Sequence, residues 1–406
     1  MSPVAAVERS TTWLGAVAVF TLALVPLVGY LAPLGFAPLL ALAGLLATPG
    51  LARARPPVLP ALALLLLVLW ALVSLAWSPG APKLAALRDT GDVESFTALK
   101  LLMQLALYGS AVAALGQMSA LWSRRAGTVM VVGFMALALI AALDGISGAS
   151  FYQWLRAAID DPIRPDLAVV KVSMATYALV LLLWPSARIM SSRGWTPAIY
   201  GLIAAILVGS VSLGADASWA ALLCGAGAWL AVHRLGKLAA KALVVAVAAP
   251  FALAPVVLIW GVNSGLFAQL HRHVPRSWDA RLDIWAFSTL HIQEHPFRGL
   301  GLDASRTFGL AIPLHTHNAA VQIWLELGAV GAALAGIFFS WIAYRIVAMT
   351  ERSREDGAMA AAALTTYLVI GGLSFGVWQE WWLALGALTV IACGLARGLK
   401  SPPRLR

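Results

Sequence analysis

Repetition of long apolar runs is the feature that most constrains this chain. Stretches of about 20 residues, each able as a helix to cross a hydrocarbon core of roughly 30 Å, recur from one end to the other. They fall near residues 13–31, 34–52, 57–77, 97–117, 127–146, 170–186, 196–214, 217–233, 242–262, 319–344, 357–376 and 380–396. Composition points the same way: 61% of the 406 residues are hydrophobic and 11% charged, where a soluble domain carries about a quarter of its residues charged. The expected fold class is an all-α polytopic membrane protein with about twelve transmembrane helices, forming a single integral membrane domain over 1–406. The opening "MSPVAAVERSTTW" leads into a full-length first span without a cleavage site, so no cleaved signal peptide is expected. Cys224 and Cys393 both lie in apolar runs, which argues against a disulfide framework.

The net charge of +10 is read through topology rather than as a nucleic-acid footprint, and no nucleic-acid partner is expected. With the N-terminus inside, 17 of the 28 Lys and Arg fall on the cytoplasmic side, in short connections such as Arg53/Arg55, Arg124/Arg125 and Arg345/Arg352/Arg354. The other 11 (Lys83, Arg88, Lys100, Arg156, Arg164, Lys171, Arg272, Arg276, Arg281, Arg298 and Arg306) fall outside. The excess in short loops predicts that both termini are cytoplasmic. Three outer connections are long, 78–96, 147–169 and 263–318. The last is the large loop between spans nine and ten, expected to be partly helical. Its five basic residues are all Arg, and it holds six of the seven histidines. Arg presents a planar fork of donors to phosphate oxygens and stays charged when partly dehydrated. Crowding Arg and His on the side poor in positive charge favours an anionic ligand over pairing with Asp279, Asp283, Glu294 and Asp303.

Within that loop, "RSWDARLDIWAFSTLHIQEHP" (276–296) reads as an amphipathic helix at the membrane surface, with Trp278, Leu282, Trp285 and Phe287 as its anchors. Arg281 and Trp285 share a face. Pro296 ends the helix, and the Gly-rich turn "FRGLGLD" follows. Then comes "HTHNAAVQIWLELGAVGA" (315–332). Asn318 can cap a helix beginning near Ala319, leaving His317 at the positive end of a helix dipole, where its pKa falls and a neutral imidazole can act as a base. Asn318, Gln322 and Glu326 follow at i, i+4 and i+8 as one polar stripe. Polar groups at membrane depth face a bundle interior or a wet cavity. Gly328, Gly331 and Gly336 would admit a close-packed neighbouring helix. His315 and His317 lack an HExxH partner, and no DxD occurs, so metal is not expected. Lys100, Asp144, Lys171 and Asp216 sit near the outer ends of spans. Lys100 and Lys171 would add to an anion site or snorkel. "WQEWW" (378–382) reads as an interfacial aromatic belt.

The pair "RLDIWAFSTLHIQEHPFRGLGLD" and "HTHNAAVQIWLELGAVGA" resembles the signature of the O-antigen ligase and O-antigen polymerase superfamily. The resemblance implies a GT-C-like glycosyltransferase in the inner membrane of a Gram-negative bacterium, with a periplasmic active site and neither metal nor cofactor. Its donor would be a glycan on undecaprenyl diphosphate, and its acceptor, in the favoured ligase branch, a sugar hydroxyl of lipid A–core. It places the catalytic residues on His317 and Arg281. Arg298, Arg306, His315, Asn318, Gln322, Lys100 and Lys171 are the candidates for substrate binding. The segment "SLGADASWA" (212–220) lacks the Arg that many members carry there, so Arg298, Arg306 or an outer Lys would replace it. An O-antigen polymerase, a protein O-oligosaccharyltransferase and, from another class, a transporter for lipid-linked substrates stay open.

Overall fold

The computed structural model describes residues 3–82 and 96–399. Lys83, Arg88, Lys400, Arg404 and Arg406 of the charge count, with most of the 78–96 connection, lie outside the described residues. Helices α1 (Pro3–Leu31), α2 (Phe36–Ala47), α3 (Val58–Ser74), α4 (Thr97–Leu115) and α5 (Ala120–Ser147) come first. Two short helices, α6 (Ser150–Ala158) and α7 (Pro165–Ser173), lead to α8 (Ala175–Ser192), α9 (Thr196–Ser212), α10 (Asp216–Leu235) and α11 (Lys237–Asn263). The large loop contributes α12 (Leu266–Leu270) and α13 (Arg276–Glu294), and the chain closes with α14 (Ala319–Arg352), α15 (Arg354–Leu373) and α16 (Glu380–Ala396).

Every apolar run of the sequence is helical, and no β-strand occurs among the described residues. Among the described residues, eight helical stretches are long and apolar enough to cross a membrane, and the apolar helices Val58–Ser74, Thr196–Ser212 and Glu380–Ala396 are shorter. The bundle centres on α8, buried along most of its length and enclosed chiefly by α5, α9, α15 and α16. Helix α11 packs along α14, and α10 along α15. A separate apolar cluster of Leu258, Ile284, Ile292, Ile312, Val321 and Leu325 ties the large loop to α11 and α14. Helix α13 is therefore held against the bundle through Ile284 and Ile292.

Two buried ionisable groups are structural. The Asp144 carboxylate accepts the Tyr30 hydroxyl and the backbone N–H groups of Phe151 (2.8 Å) and Tyr152 (3.2 Å), which caps α6. Arg188, near the end of α8, places Nε 3.0 Å from Asp356 and Nη1 3.1 Å from Glu355, and donates to the carbonyl of Leu399.

One irregularity shapes everything above it. Helix α14 has 34 residues, about 51 Å at 1.5 Å per residue, far more than a bilayer core requires. It is broken at Gly328, with φ 62° and ψ −160°. A break frees backbone groups, which lipid cannot satisfy. The Gly-rich segment supplies the partners. Leu300 N–H donates to Leu325 O (2.9 Å) and Gly301 N–H to Glu326 O (2.7 Å), while Ala329 N–H donates to Pro296 O (2.8 Å). Trp70 Nε1–H donates to Leu327 O (3.0 Å). So Gly328 admits a loop backbone, not a helix. Only Gly336 meets a neighbouring helix as the sequence suggested, its missing Cβ lying 3.2 Å from Phe251 of α11.

Candidate active site

The nine residues of α14 before the break carry the polar stripe. Asn318 caps them, its Oδ1 accepting from Val321 N–H at 3.1 Å. Gln322 donates to Glu326 (3.0 Å) and accepts from Val377 N–H (2.9 Å). Glu326 is fully buried and gathers four donors: Gln322, Ser305 Oγ (2.5 Å), Asp303 N–H (3.2 Å) and Trp378 Nε1 (2.6 Å). One carboxylate thus joins the α14 stub, the Gly-rich loop and the 374–379 connection. Trp378, Trp381 and Trp382 are buried, so this segment is no interfacial belt. Its first tryptophan is a hydrogen-bond donor to the stripe.

The 374–379 connection also holds His317. Its Nδ1 lies 2.9 Å from Ser374 O. A carbonyl only accepts, so Nδ1 carries the proton of the neutral ring and Nε2 keeps a lone pair. The His317 N–H in turn meets His315 Nδ1 at 3.2 Å, and the two rings stand 4.2 Å apart. His317 adopts φ 54°, a left-handed backbone that a non-glycine residue holds only when its surroundings fix it. Here Trp285 Nε1 anchors the preceding carbonyl of Thr316 at 2.9 Å. Burial lowers the pKa of His317, the Ser374 carbonyl opposes this, and the charge of Arg281 adds to the lowering. Burial is the main cause, where the sequence pointed to the helix end. Burial, with the charges of His317, Arg306 and Arg281, takes His315 down to about 3.

Arg281, on the same face of α13 as Trp285, lies half-buried with its guanidinium 4.8 Å over the Trp278 ring. Its buried Nε has no hydrogen-bond partner among the described residues. Burial lowers its pKa, opposed by Tyr177 and Asp216, which places the head of α8 and the start of α10 beside it. The acids of the loop are engaged elsewhere. Asp279 lies 2.5 Å and Asp283 3.5 Å from His271, and Glu294 lies 2.9 Å from His291.

The structure therefore brings His315, His317, Asn318, Gln322 and Arg281 into one neighbourhood. Arg306 is exposed and 3.3 Å from Asp303, yet its charge still reaches His315. Arg298 is exposed and lies 5.4 Å over Trp77. Lys100 is ion-paired with Glu380, and Lys171 is exposed on α7. No group of three or more His, Cys, Asp or Glu suited to a metal ion occurs among the described residues. Ser374, Trp378, Ser305 and Tyr177 were not singled out by their own chemistry in the sequence. Ser374 and Val377 act through the backbone, which leaves no side-chain signal.

Residues 201–336 match the family model described as O-Antigen ligase. A candidate polysaccharide ligase of Rickettsia conorii is 30% identical over 127 residues, 27% of this chain and 30% of that protein. A counterpart in Rickettsia bellii is 32% identical over 120 residues, 26% of this chain and 28% of that protein. The chain thus spans less than a third of the length of these curated relatives.

Proposed function

We propose, from the chain's resemblance to the ligase side of the O-antigen ligase and polymerase superfamily, that it transfers a glycan from undecaprenyl diphosphate to a sugar hydroxyl of lipid A–core. The protein crosses the inner membrane of a Gram-negative bacterium about twelve times, as one membrane domain with cytoplasmic termini. Residues 263–318 form the periplasmic loop that carries the reacting groups. The acceptor hydroxyl attacks the anomeric carbon and gives its proton to His317 Nε2. A new C–O bond forms as the bond from that carbon to the diphosphate breaks, and the electron pair leaves with undecaprenyl diphosphate. Arg281 stabilises that departing charge in a dehydrated site. In-line attack inverts the anomeric centre, since no nucleophilic carboxylate is assigned to a two-step route.

One observation carries this reading. An imidazole whose Nδ1 is committed to a carbonyl leaves Nε2 free as a base, and it lies within the field of an arginine with an unpartnered Nε. Purified protein in detergent, mixed with lipid-linked glycan and lipid A–core, should form the joined product. His317→Ala and Arg281→Ala should each lower transfer by on the order of 10²–10³-fold while thermal unfolding stays put. Near-wild-type transfer by His317→Ala would overturn the base assignment. No product from the wild type would favour a transporter, and product only with a second donor molecule or a pilin would move the chain to a sister branch.

A further inference from the structure

His315 has no part in the transfer step above, yet it is held as firmly as His317. The residue is 8% exposed. A Cβ placed on Gly376 would lie 3.0 Å from its Cγ, so the 374–379 connection packs directly against the ring. The ring of His317 lies 4.2 Å away. The His317 N–H points at His315 Nδ1 across 3.2 Å. An amide can only donate, so Nδ1 is an acceptor and the single proton of the neutral ring sits on Nε2. The Nε2–H makes no hydrogen bond to another described residue. The neighbouring charges of Arg306 and Arg281 oppose a second proton.

The two histidines therefore carry opposite tautomers, each fixed by a backbone group. His317 offers a lone pair and His315 offers a proton it does not lose. We propose that His315 donates its Nε2–H to an oxygen of the lipid-linked diphosphate and so shares with Arg281 the charge that develops there. This rests on the glycosyl-transfer reading of the site and goes beyond it. A neutral donor in a dehydrated site strengthens its hydrogen bond as the oxygen gains charge, without handing over the proton. The ligand chemistry is anionic because the charges bearing on this ring are cationic.

Two substitutions separate the ring's nitrogens. The amide nitrogen of Gln reaches the position of Nε2, whereas Asn replaces only Nδ1. Binding of inorganic pyrophosphate to the detergent-purified full chain is measured by calorimetry for His315→Gln and His315→Asn. The Gln variant should bind within about threefold of wild type and the Asn variant at least about tenfold more weakly, as expected for a hydrogen bond to a charged group. In transfer, the Asn variant should lose kcat. On the wild-type protein, ¹⁵N-histidine NMR should show the His315 proton on Nε2 and the His317 proton on Nδ1, a readout independent of how either variant folds. Equal pyrophosphate affinity for Gln and Asn, or a His315 proton on Nδ1, would overturn the proposal. If wild type makes no glycan product but pyrophosphate binding keeps the Gln-over-Asn order, the diphosphate contact stands and the transferase reading falls.

Discussion

Helix α8 has an arginine at each end of its neighbourhood, and the two are opposites. Near its C-terminal end, Arg188 is buried against Asp356 and Glu355 and bonded to a carbonyl. Beside its first turn, Arg281 has Tyr177 and Asp216 as its electrostatic neighbours, without an ion pair to either, and its buried Nε is unpartnered among the described residues. Both cost desolvation. At Arg188 the protein's own carboxylates offset that cost. At Arg281 the loop's carboxylates have been drawn to His271 and His291 instead. A cation kept apart from available acids is suited to an anion from elsewhere, whereas a cation saturated by acids is suited to holding helices together.

Substitutions can break this contrast. Arg188→Ala leaves Asp356 buried without its partner and should lower stability by about 3–5 kcal/mol, read by thermal unfolding in detergent, with turnover per folded molecule unchanged. Arg281→Lys should do the reverse. It keeps the charge but loses the planar fork, so transfer should fall on the order of tenfold with no change in melting. If Arg281→Lys melted early and Arg188→Ala did not, the two assignments would be exchanged. Gly328→Ala forces a side chain into the left-handed region, 2.4 Å from Phe297 O, and should cost about 1–3 kcal/mol while also lowering transfer, because the site hangs on the break.

Acidity sharpens the contrast further. The folded pKa of His317 lies below its ordinary 6.5, so the neutral base persists as pH falls and the acid limb of transfer should lie below 6.5. His315, taken from 6.5 to about 3, is protonated first in the unfolded chain. The stability it contributes is complete above pH 6.5 and is lost as pH falls from there toward about 3, measurable as a falling melting temperature. The smallest effect is expected at Lys171, which is exposed. Lys171→Ala should change transfer by less than about twofold, in line with the small worth of exposed charges.

Much of this was legible in the chain. Apolar runs located the helices because burial in lipid leaves little else to encode. Asn318 and the histidines announced a helix start, and the i, i+4 spacing announced a stripe. What the sequence left dark was carried by backbone. The carbonyl of Ser374 and the amides of Val377 and Asp303 have no letter of their own. The break at Gly328 looked like a small-residue packing face, since glycine serves both purposes. The tryptophans after Val377 looked interfacial because composition cannot tell a tryptophan facing lipid from one donating to a buried carboxylate. The stretch matching the O-antigen ligase family stops at residue 336, before Ser374 and Trp378, so that part of the site had to be found in space.

Gly299 and Gly328 meet backbone to backbone. A Cβ on the first would come within 2.4 Å of the Glu326 carbonyl, and one on the second within 2.4 Å of Phe297 O. Once either position gains a methyl group the loop has left its seat, so a methyl at the other meets little further resistance. The pair should therefore be epistatic, the double substitution being far milder than the sum of the singles. Sequences that retain this seat should keep both glycines, and those that have given up one are free to lose the other, a rule of inheritance written by contact alone.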